Sequence, residues 1–122
     1  DTLGQLSPHP NVQEVLQMIE ATGVALSFRI VNIGASDGAC HEGHLDHDPA
    51  NCLLQTGAWG GLVIEGNPQH AQALRDAFGA REDIHVVQAV LGLSNATAIV
   101  REHSDEPDVD LLKVDLDYCD DL

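Results

Sequence analysis

The feature that most constrains the fold is an apolar strand that runs directly into a turn of small residues. Residues 30–38 read Ile-Val-Asn-Ile-Gly-Ala-Ser-Asp-Gly. Further along, a second apolar run over residues 61–64 ends at Glu65. A strand followed by such a turn, and a next strand that ends on a carboxylate, are typical of βαβ domains that bind a ribose-containing cofactor. Together the two segments predict a ligand site.

Helical signals alternate with these strands. Apolar residues recur at helical spacing before Gly23, at Val12, Val15, Leu16 and Ile19. Residues 48–49 and 67–68 each pair a capping side chain with a proline at the first helical position, and so predict two further helix starts. Those helices are expected to end at Gly57 and Gly79.

The order of elements predicts the fold class. The predicted strands cover residues 28–33, 61–65, 84–90 and 110–115. A turn at Ser94-Asn95 indicates a small hairpin between residues 90–91 and 98–100. Alternating strands and helices predict an α/β sandwich with a mostly parallel sheet, in which ligands collect at the carboxyl ends of the strands.

Length and charge limit the functions that the chain can have. Its 122 residues fit one domain, and no apolar run is long enough for a membrane helix. Asp and Glu number 20 against 5 Lys and Arg, which gives a net charge of −15. An acidic surface repels nucleic acid, because nucleic acid binding depends on basic patches. Because an open four-stranded sheet leaves edge strands, we expect a longer parent chain or a partner protein that covers them.

The cysteines and histidines allow two further interpretations. Cys40, Cys52 and Cys119 show no C-x-x-C spacing, so free thiols are expected, and a Cys40–Cys52 bridge requires the two Cα atoms to lie within about 7 Å. His41, His44 and His47 lie close together, but without the H-E-x-x-H spacing of a zinc helix. A solvated loop is the expectation there, and no metal is assigned.

Residues 34–38 also satisfy G-x-S-x-G, the nucleophile motif of α/β hydrolases, with Ser36 as nucleophile and His85 or His103 as base. That motif requires a helix directly after the serine, whereas Asp37 and Gly38 lead into a polar loop. The hydrolase interpretation is therefore the weaker one.

Three segments resemble the FkbM-type branch of the class I S-adenosylmethionine-dependent methyltransferases. Residues 31–38 resemble its opening motif, residues 57–68 its second, and residues 111–117 its Leu-Lys-Ile-Asp segment. The resemblance implies a Rossmann-like three-layer sandwich of which about four strands are present. It also implies a domain, spanning residues 1–122 and incomplete at its C-terminus, that transfers a methyl group to an unidentified acceptor.

The resemblance implies particular roles for residues at the strand ends. Glu65 would bind the ribose diol, and Asp115 would act as the catalytic base. The residues implied to bind the cofactor are Asn32, Gly34, Ala35, Ser36, Gly38, Glu65, Asn67 and Ala89. Asn32 stands where the family usually has an acid, so a neutral hydrogen bond replaces a charge-assisted one. Lys113 is expected to form an ion pair, and Trp59 is expected to be a packing residue. The alternative function is a non-catalytic structural or interaction subunit of a larger assembly.

Overall fold

The centre of the fold is a four-stranded sheet. The computed structural model describes residues 7, 10–40, 48–104 and 108–116. The strands are β1 (Arg29–Ile33), β2 (Gly60–Glu65), β3 (Ile84–Gln88) and β4 (Leu111–Val114). Their order is β3-β2-β1-β4, and all three pairings are parallel. The predicted α/β sandwich is confirmed, with a described sheet that is entirely parallel.

Four helices accompany the described sheet, namely α1 (Pro10–Ala21), α2 (Pro49–Gln55), α3 (Pro68–Phe78) and α4 (Ala96–His103). The predicted caps of α2 and α3 are present. Asp48 accepts hydrogen bonds from the backbone N–H groups of Ala50 and Asn51, and Asn67 accepts two in the same way at α3. Each cap satisfies donors that a helix start leaves without a partner in the helix.

The predicted hairpin at residues 90–100 is wrong, because its second strand, residues 98–100, lies within α4. The β-branched run at residues 99–100 resembles a strand, but Ala96, Ile99 and Val100 pack against one apolar cluster at the spacing of a helix face. Asn95 braces the turn before the helix. Its Oδ1 accepts from the N–H of Gly92 at 2.8 Å, and its Nδ2 donates to the carbonyl of Val90 at 3.0 Å.

The sheet divides the core into two faces. The α2 face is the side covered by α1, α2 and α3. Its buried cluster consists of Leu16, Ile30, Ala35, Ala50, Leu53, Leu54, Trp59, Val63, Leu74, Phe78 and Ile84. The α4 face is the other side, and its buried cluster consists of Val31, Ile33, Leu62, Ile64 and Leu91. Trp59 is 1% exposed and contacts Phe28, as expected of a packing residue.

A disulfide joins Cys40 to Cys52, so the expectation of free thiols is wrong for this pair. Their Cα atoms lie 4.6 Å apart, because the chain after β1 returns to pack Cys52 of α2 beside Cys40. Cys119 lies outside the described residues. The histidines at positions 41, 44 and 47 also lie outside them. In the described part of the chain, no helix has the length and apolar character needed to cross a membrane.

Candidate functional site

A cavity of about 500 Å³ opens at the carboxyl ends of the strands. Its position matches the place where open parallel sheets bind ligands, next to the strand at which the strand order reverses. In this sheet that strand is β1, since β2 and β3 extend from one side of it and β4 from the other. The cavity is lined by Ile33, Gly34, Ser36, Asp48, Ile64, Glu65, Gly66, Asn67, His70, Ala89, Val90, Leu91, Lys113, Asp115 and Leu116.

The turn after β1 forms one wall of the cavity and depends on Gly34. Gly34 has φ 79°, and a Cβ atom placed on it would lie 1.8 Å from the carbonyl oxygen of Asp115. Either condition alone favours glycine, and the second excludes any side chain unless β4 moves. The N–H of Gly34 donates to the carbonyl of Ile64 at 2.8 Å, and the N–H of Asp115 donates to the carbonyl of Ile33 at 2.9 Å. The turn therefore joins the ends of three strands.

Glu65, the last residue of β2, connects that turn to the start of α3. Its Oε1 accepts from the N–H of Ser36 at 2.8 Å, and its Oε2 accepts from the N–H of Asn67 at 2.9 Å. Ser36 has φ 55°, in the left-handed region of backbone conformation that residues other than glycine seldom adopt. Each carboxylate oxygen has two acceptor positions, so Glu65 can accept two more hydrogen bonds from a ligand.

Lys113 and Asp48 form a largely buried ion pair at the opposite side of the cavity. Nζ of Lys113 lies 2.8 Å from Oδ2 of Asp48, and the two side chains are 17% and 13% exposed. The same Nζ donates to the carbonyl of Gly34 at 2.8 Å. The ion pair expected of Lys113 is present, with Asp48 as its partner. These contacts tie β4, the β1 turn and the start of α2 together.

Two buried asparagines extend this network under the cavity. Asn32 and Asn51 are both 0% exposed. Nδ2 of Asn32 donates to Oδ1 of Asn51 at 2.9 Å and to Oδ2 of Asp48 at 3.2 Å. In the described structure, Oδ1 of Asn32 has no hydrogen-bond partner. Asn32 therefore supports the cavity from below rather than lining it.

Side chains of α2 hold the β1 turn in place. Nδ2 of Asn51 donates to the carbonyls of Ala35 and Ala39, at 2.8 and 3.4 Å. Nε2 of Gln55 donates to the carbonyl of Gly38 at 2.7 Å. Together with the disulfide from Cys52, three side chains of one short helix fasten the turn along its length.

Most of the residues predicted for the site lie together at the cavity, namely Gly34, Ser36, Glu65, Asn67, Ala89 and Asp115. The other three do not line it. Asn32 is in the network below, Ala35 is part of the buried α2 face, and Gly38 packs against Leu74 and Phe78 of α3. Sequence reasoning did not assign Asp48, His70 and Lys113 to the site. For Asp48 and Lys113 the available signal was a charged residue beside an apolar segment.

The hydrolase interpretation gains no support from the arrangement. Ser36 follows the carboxyl end of β1, and the segment after it is a turn instead of a helix. His85 and His103 both line a small crevice with Arg29 and Gly61, residues at the amino ends of β1 and β2. The proposed nucleophile and its proposed bases are therefore at opposite ends of the sheet.

The cavity is acidic and lies at the carboxyl edge of a parallel sheet. Asp48, Glu65 and Asp115 line it, whereas Lys113 is the one lysine or arginine among the described lining residues.

The all-parallel sheet with strand order β3-β2-β1-β4 is consistent with a Rossmann-like sandwich. Comparisons of this chain with protein-family models, with curated proteins and with solved structures each returned no match.

Proposed function

We propose that this domain binds S-adenosylmethionine in the cavity and acts as a methyltransferase of the FkbM-like type on an unidentified acceptor. The observation that carries the proposal is the position of Glu65. Its carboxylate lies at the carboxyl end of β2, lines the cavity, and is held by a hydrogen bond from the turn after β1. In dinucleotide-binding domains an acidic residue at this place accepts hydrogen bonds from ribose hydroxyls.

The acceptor positions of Glu65 fit a ribose diol. The two backbone N–H groups that it binds use one position on each oxygen, and one remains on each. Two neighbouring hydroxyls can donate to these remaining positions. Because Ser36 and Asn67 already fix the carboxylate, binding the diol would cost little side-chain entropy.

The charge of the cavity favours a cationic ligand over a phosphate. Three carboxylates face one ammonium group among the described lining residues, so the field there attracts positive charge. S-adenosylmethionine carries a sulfonium and an ammonium against one carboxylate. These carboxylates would repel a pyrophosphate cofactor. In addition, the β1 turn has Ser36 where a dinucleotide-binding motif has its middle glycine.

An apolar wall beyond Glu65 suits the base of the ligand. Ala89, Val90 and Leu91 follow β3 and line the cavity, and the N–H of Ala89 is held by the carbonyl of Glu65 at 3.1 Å. Apolar side chains beside a few fixed polar groups are the usual composition of small-molecule sites. The ligand would then extend from this wall, across Glu65 and Gly34, toward β4.

Asp115 is the residue of this chain that we assign to proton transfer. S-adenosylmethionine, when bound, would supply an electrophilic methyl group for the acceptor atom, with its sulfur as the leaving group. Asp115 follows β4, is exposed at the rim of the cavity, and can accept the proton that the acceptor loses. The turn around Gly34 and the Lys113–Asp48 pair fix the surrounding backbone, so that the acceptor is positioned as well as deprotonated.

Calorimetry with S-adenosylmethionine tests the proposal. We expect measurable binding to the wild type, and a loss of about tenfold for Glu65→Gln, since one acceptor contact to the ribose is worth about 1 kcal/mol or more. Glu102→Gln, on the exposed surface of α4, is the matched control and should bind as the wild type does. Circular dichroism checks that both variants fold. Absence of binding heat with the wild type would contradict the proposal, as would tighter binding of NAD.

A second candidate is supported by a different observation. Val90, Leu93, Leu112 and Val114 are all more than half exposed, and several of them line an apolar groove on the α4 face. Exposed apolar surface of this kind is typical of interaction sites. The alternative is therefore a non-catalytic subunit, for which S-adenosylmethionine gives no binding heat while the chain associates with another protein.

A further inference from the structure

We infer that Lys113 is the residue that recognises the ligand's carboxylate, so that the cavity selects a cofactor with an intact α-amino acid end. The inference rests on the proposed function, because it assigns the far end of the same ligand. The role follows from the hydrogen bonds that Lys113 makes and from the charges that surround it.

Among the described residues, the ammonium of Lys113 has acceptors for two of its three N–H donors. A lysine ammonium has three N–H donors. Two of them go to the carbonyl of Gly34 and to Oδ2 of Asp48, both at 2.8 Å. The third has no acceptor within the described residues, and Lys113 lines the cavity. A partly buried ammonium with one free donor favours an anionic oxygen as its next partner.

Asp48 fixes Lys113 and does not compete for the ligand. Its Oδ1 accepts from the N–H groups of Ala50 and Asn51, and its Oδ2 accepts from Lys113 and Asn32. A carboxylate has about four acceptor positions, and all four are therefore occupied. Asp48 holds the ammonium in place, while its own charge is balanced by these four donors.

The distance from Glu65 to Lys113 agrees with one ligand that contacts both. Lys113 is in register with Asn32 of β1, and Ile64, the neighbour of Glu65, is in register with Ile33. Glu65 and Lys113 therefore lie two strand spacings apart across the sheet and two residues apart along it, which places their Cα atoms about 12 Å apart. If the ribose of S-adenosylmethionine is bound at Glu65, the amino acid end of the ligand would pass over Gly34, where a side chain is excluded.

The overall charge makes this contact selective. The chain has a net charge of −15, so a carboxylate is repelled at most places on its surface. At Lys113 a short-range hydrogen bond from the ammonium can hold a carboxylate despite that repulsion. Removal of the carboxylate raises the positive charge of the ligand. Long-range attraction to the acidic protein alone would therefore strengthen binding of the decarboxylated form. A preference for the carboxylated ligand would thus have to come from a local contact.

Calorimetry with S-adenosylmethionine and with its decarboxylated form, each on two proteins, tests the inference. We expect the wild type to bind the decarboxylated form about tenfold more weakly or worse, since a charge-assisted hydrogen bond is lost. In Lys113→Gln, affinity for S-adenosylmethionine should fall to that of the decarboxylated form, whose own affinity should stay the same. Arg101→Gln removes a cation from the exposed surface of α4 and should preserve the wild-type preference.

Three outcomes separate the possibilities. Equal affinity of the wild type for both ligands overturns the inference and leaves the proposed function standing. Absence of binding by either ligand overturns the proposed function, and the inference with it. If Lys113→Gln does not fold because Asp48 is left unpaired, the double variant Asp48→Asn/Lys113→Gln replaces it. Loss of both ligands' affinity in equal measure in that variant would also overturn the inference.

Discussion

The two faces of the sheet differ in how they are built, although the same four strands contribute to both. On the α2 face the described part of α2 is buried from Ala50 to Leu54, and a polar network lies inside the packed layer. On the α4 face, α4 has no buried residue, and Leu112 and Val114 of β4 remain 63% and 53% exposed. The residues that the structure describes form a closed core on the α2 face and cover the α4 face only in part.

This difference indicates where stability and binding originate. The cavity is formed by residues that follow the strands, but the side chains that hold its turn come from the α2 face. Asn51, Cys52 and Gln55 all belong to that layer. We therefore expect changes on the α2 face to affect both folding and the site, whereas changes on the α4 face should have smaller effects on folding.

The largest expected effect is on the free energy of unfolding. It differs between alanine substitutions of two isoleucines of β1 that point to opposite faces of the sheet. Ile30 is 0% exposed in the α2 face, and Ile33 is 7% exposed in the α4 face beside the cavity. Ile30→Ala should lower the free energy of unfolding by about 4 kcal/mol, and Ile33→Ala by about 2 kcal/mol, because the thinner face can relax around the missing atoms. Urea unfolding measures both. Equal losses would show that the faces contribute alike.

The next effect concerns the disulfide, which fastens the turn after β1 to the α2 face. Replacing both Cys40 and Cys52 by Ala should cost about 3 kcal/mol, since the bridge closes a loop of intermediate length in the unfolded chain. The two cysteines are 12 positions apart. Thermal unfolding in a Cys119→Ala background, with and without a reductant, measures the loss. A reductant should lower the Tm of the parent protein and leave the Tm of the Ala variant unchanged.

The smallest effect is a pH dependence at the edge of the α2 face. The side-chain hydrogen bonds from Arg81 hold the pKa of Asp83 below its usual value, and the charge of Arg81 adds to this. Arg81 also donates to the carbonyls of Leu54 and Trp59, so it joins the end of α2 to the start of β2. Since the folded pKa is the lower one, the stabilisation is present above pH 3.8 and disappears as the pH falls through the folded pKa.

Asp83→Asn tests that dependence. Because the Asp83 side chain is 45% exposed, its replacement should cost less than about 1 kcal/mol at neutral pH. The difference between wild type and variant should shrink as unfolding is followed from about pH 6 to about pH 3. A difference that stays constant over this interval would assign the effect to the shape of the side chain rather than to its charge.

The sequence predicted well those features that depend on neighbours in the chain. Strands with continuous apolar character and the Asp48-Pro49 and Asn67-Pro68 helix starts are local signals, and the structure contains them. The position of Glu65 beside the cavity follows from its place at the end of a strand, and the structure contains it there. The α4 helix was missed because β-branched residues at 99–100 favour a strand, although Ala96, Ile99 and Val100 follow a helical period.

Features that depend on distant contacts could not be predicted in this way. Lys113 and Asp48 are 65 positions apart, and their pairing requires β4 to lie beside β1. The burial of Asn32 depends on α2 covering it, which the composition of β1 does not reveal. Gly34 was predicted as a cofactor-binding residue, and its close approach to the carbonyl of Asp115 is a requirement for glycine that only the structure shows. The disulfide likewise depends on how the chain returns after β1.

The pairing of Asn32 with Lys113 has a consequence for how the chain finds its fold. β1 and β4 are short and otherwise largely apolar, so their hydrophobic side chains would tolerate several alignments. A shift by one residue would turn Asn32 toward the apolar layer of the α4 face and separate Lys113 from Asp48. Misaligned chains would then bury unpaired polar groups, at a cost of about 1–3 kcal/mol for each neutral group and more for a charge. The support of the cavity thus also helps to select the correct alignment during folding, since it penalises a shift by one residue.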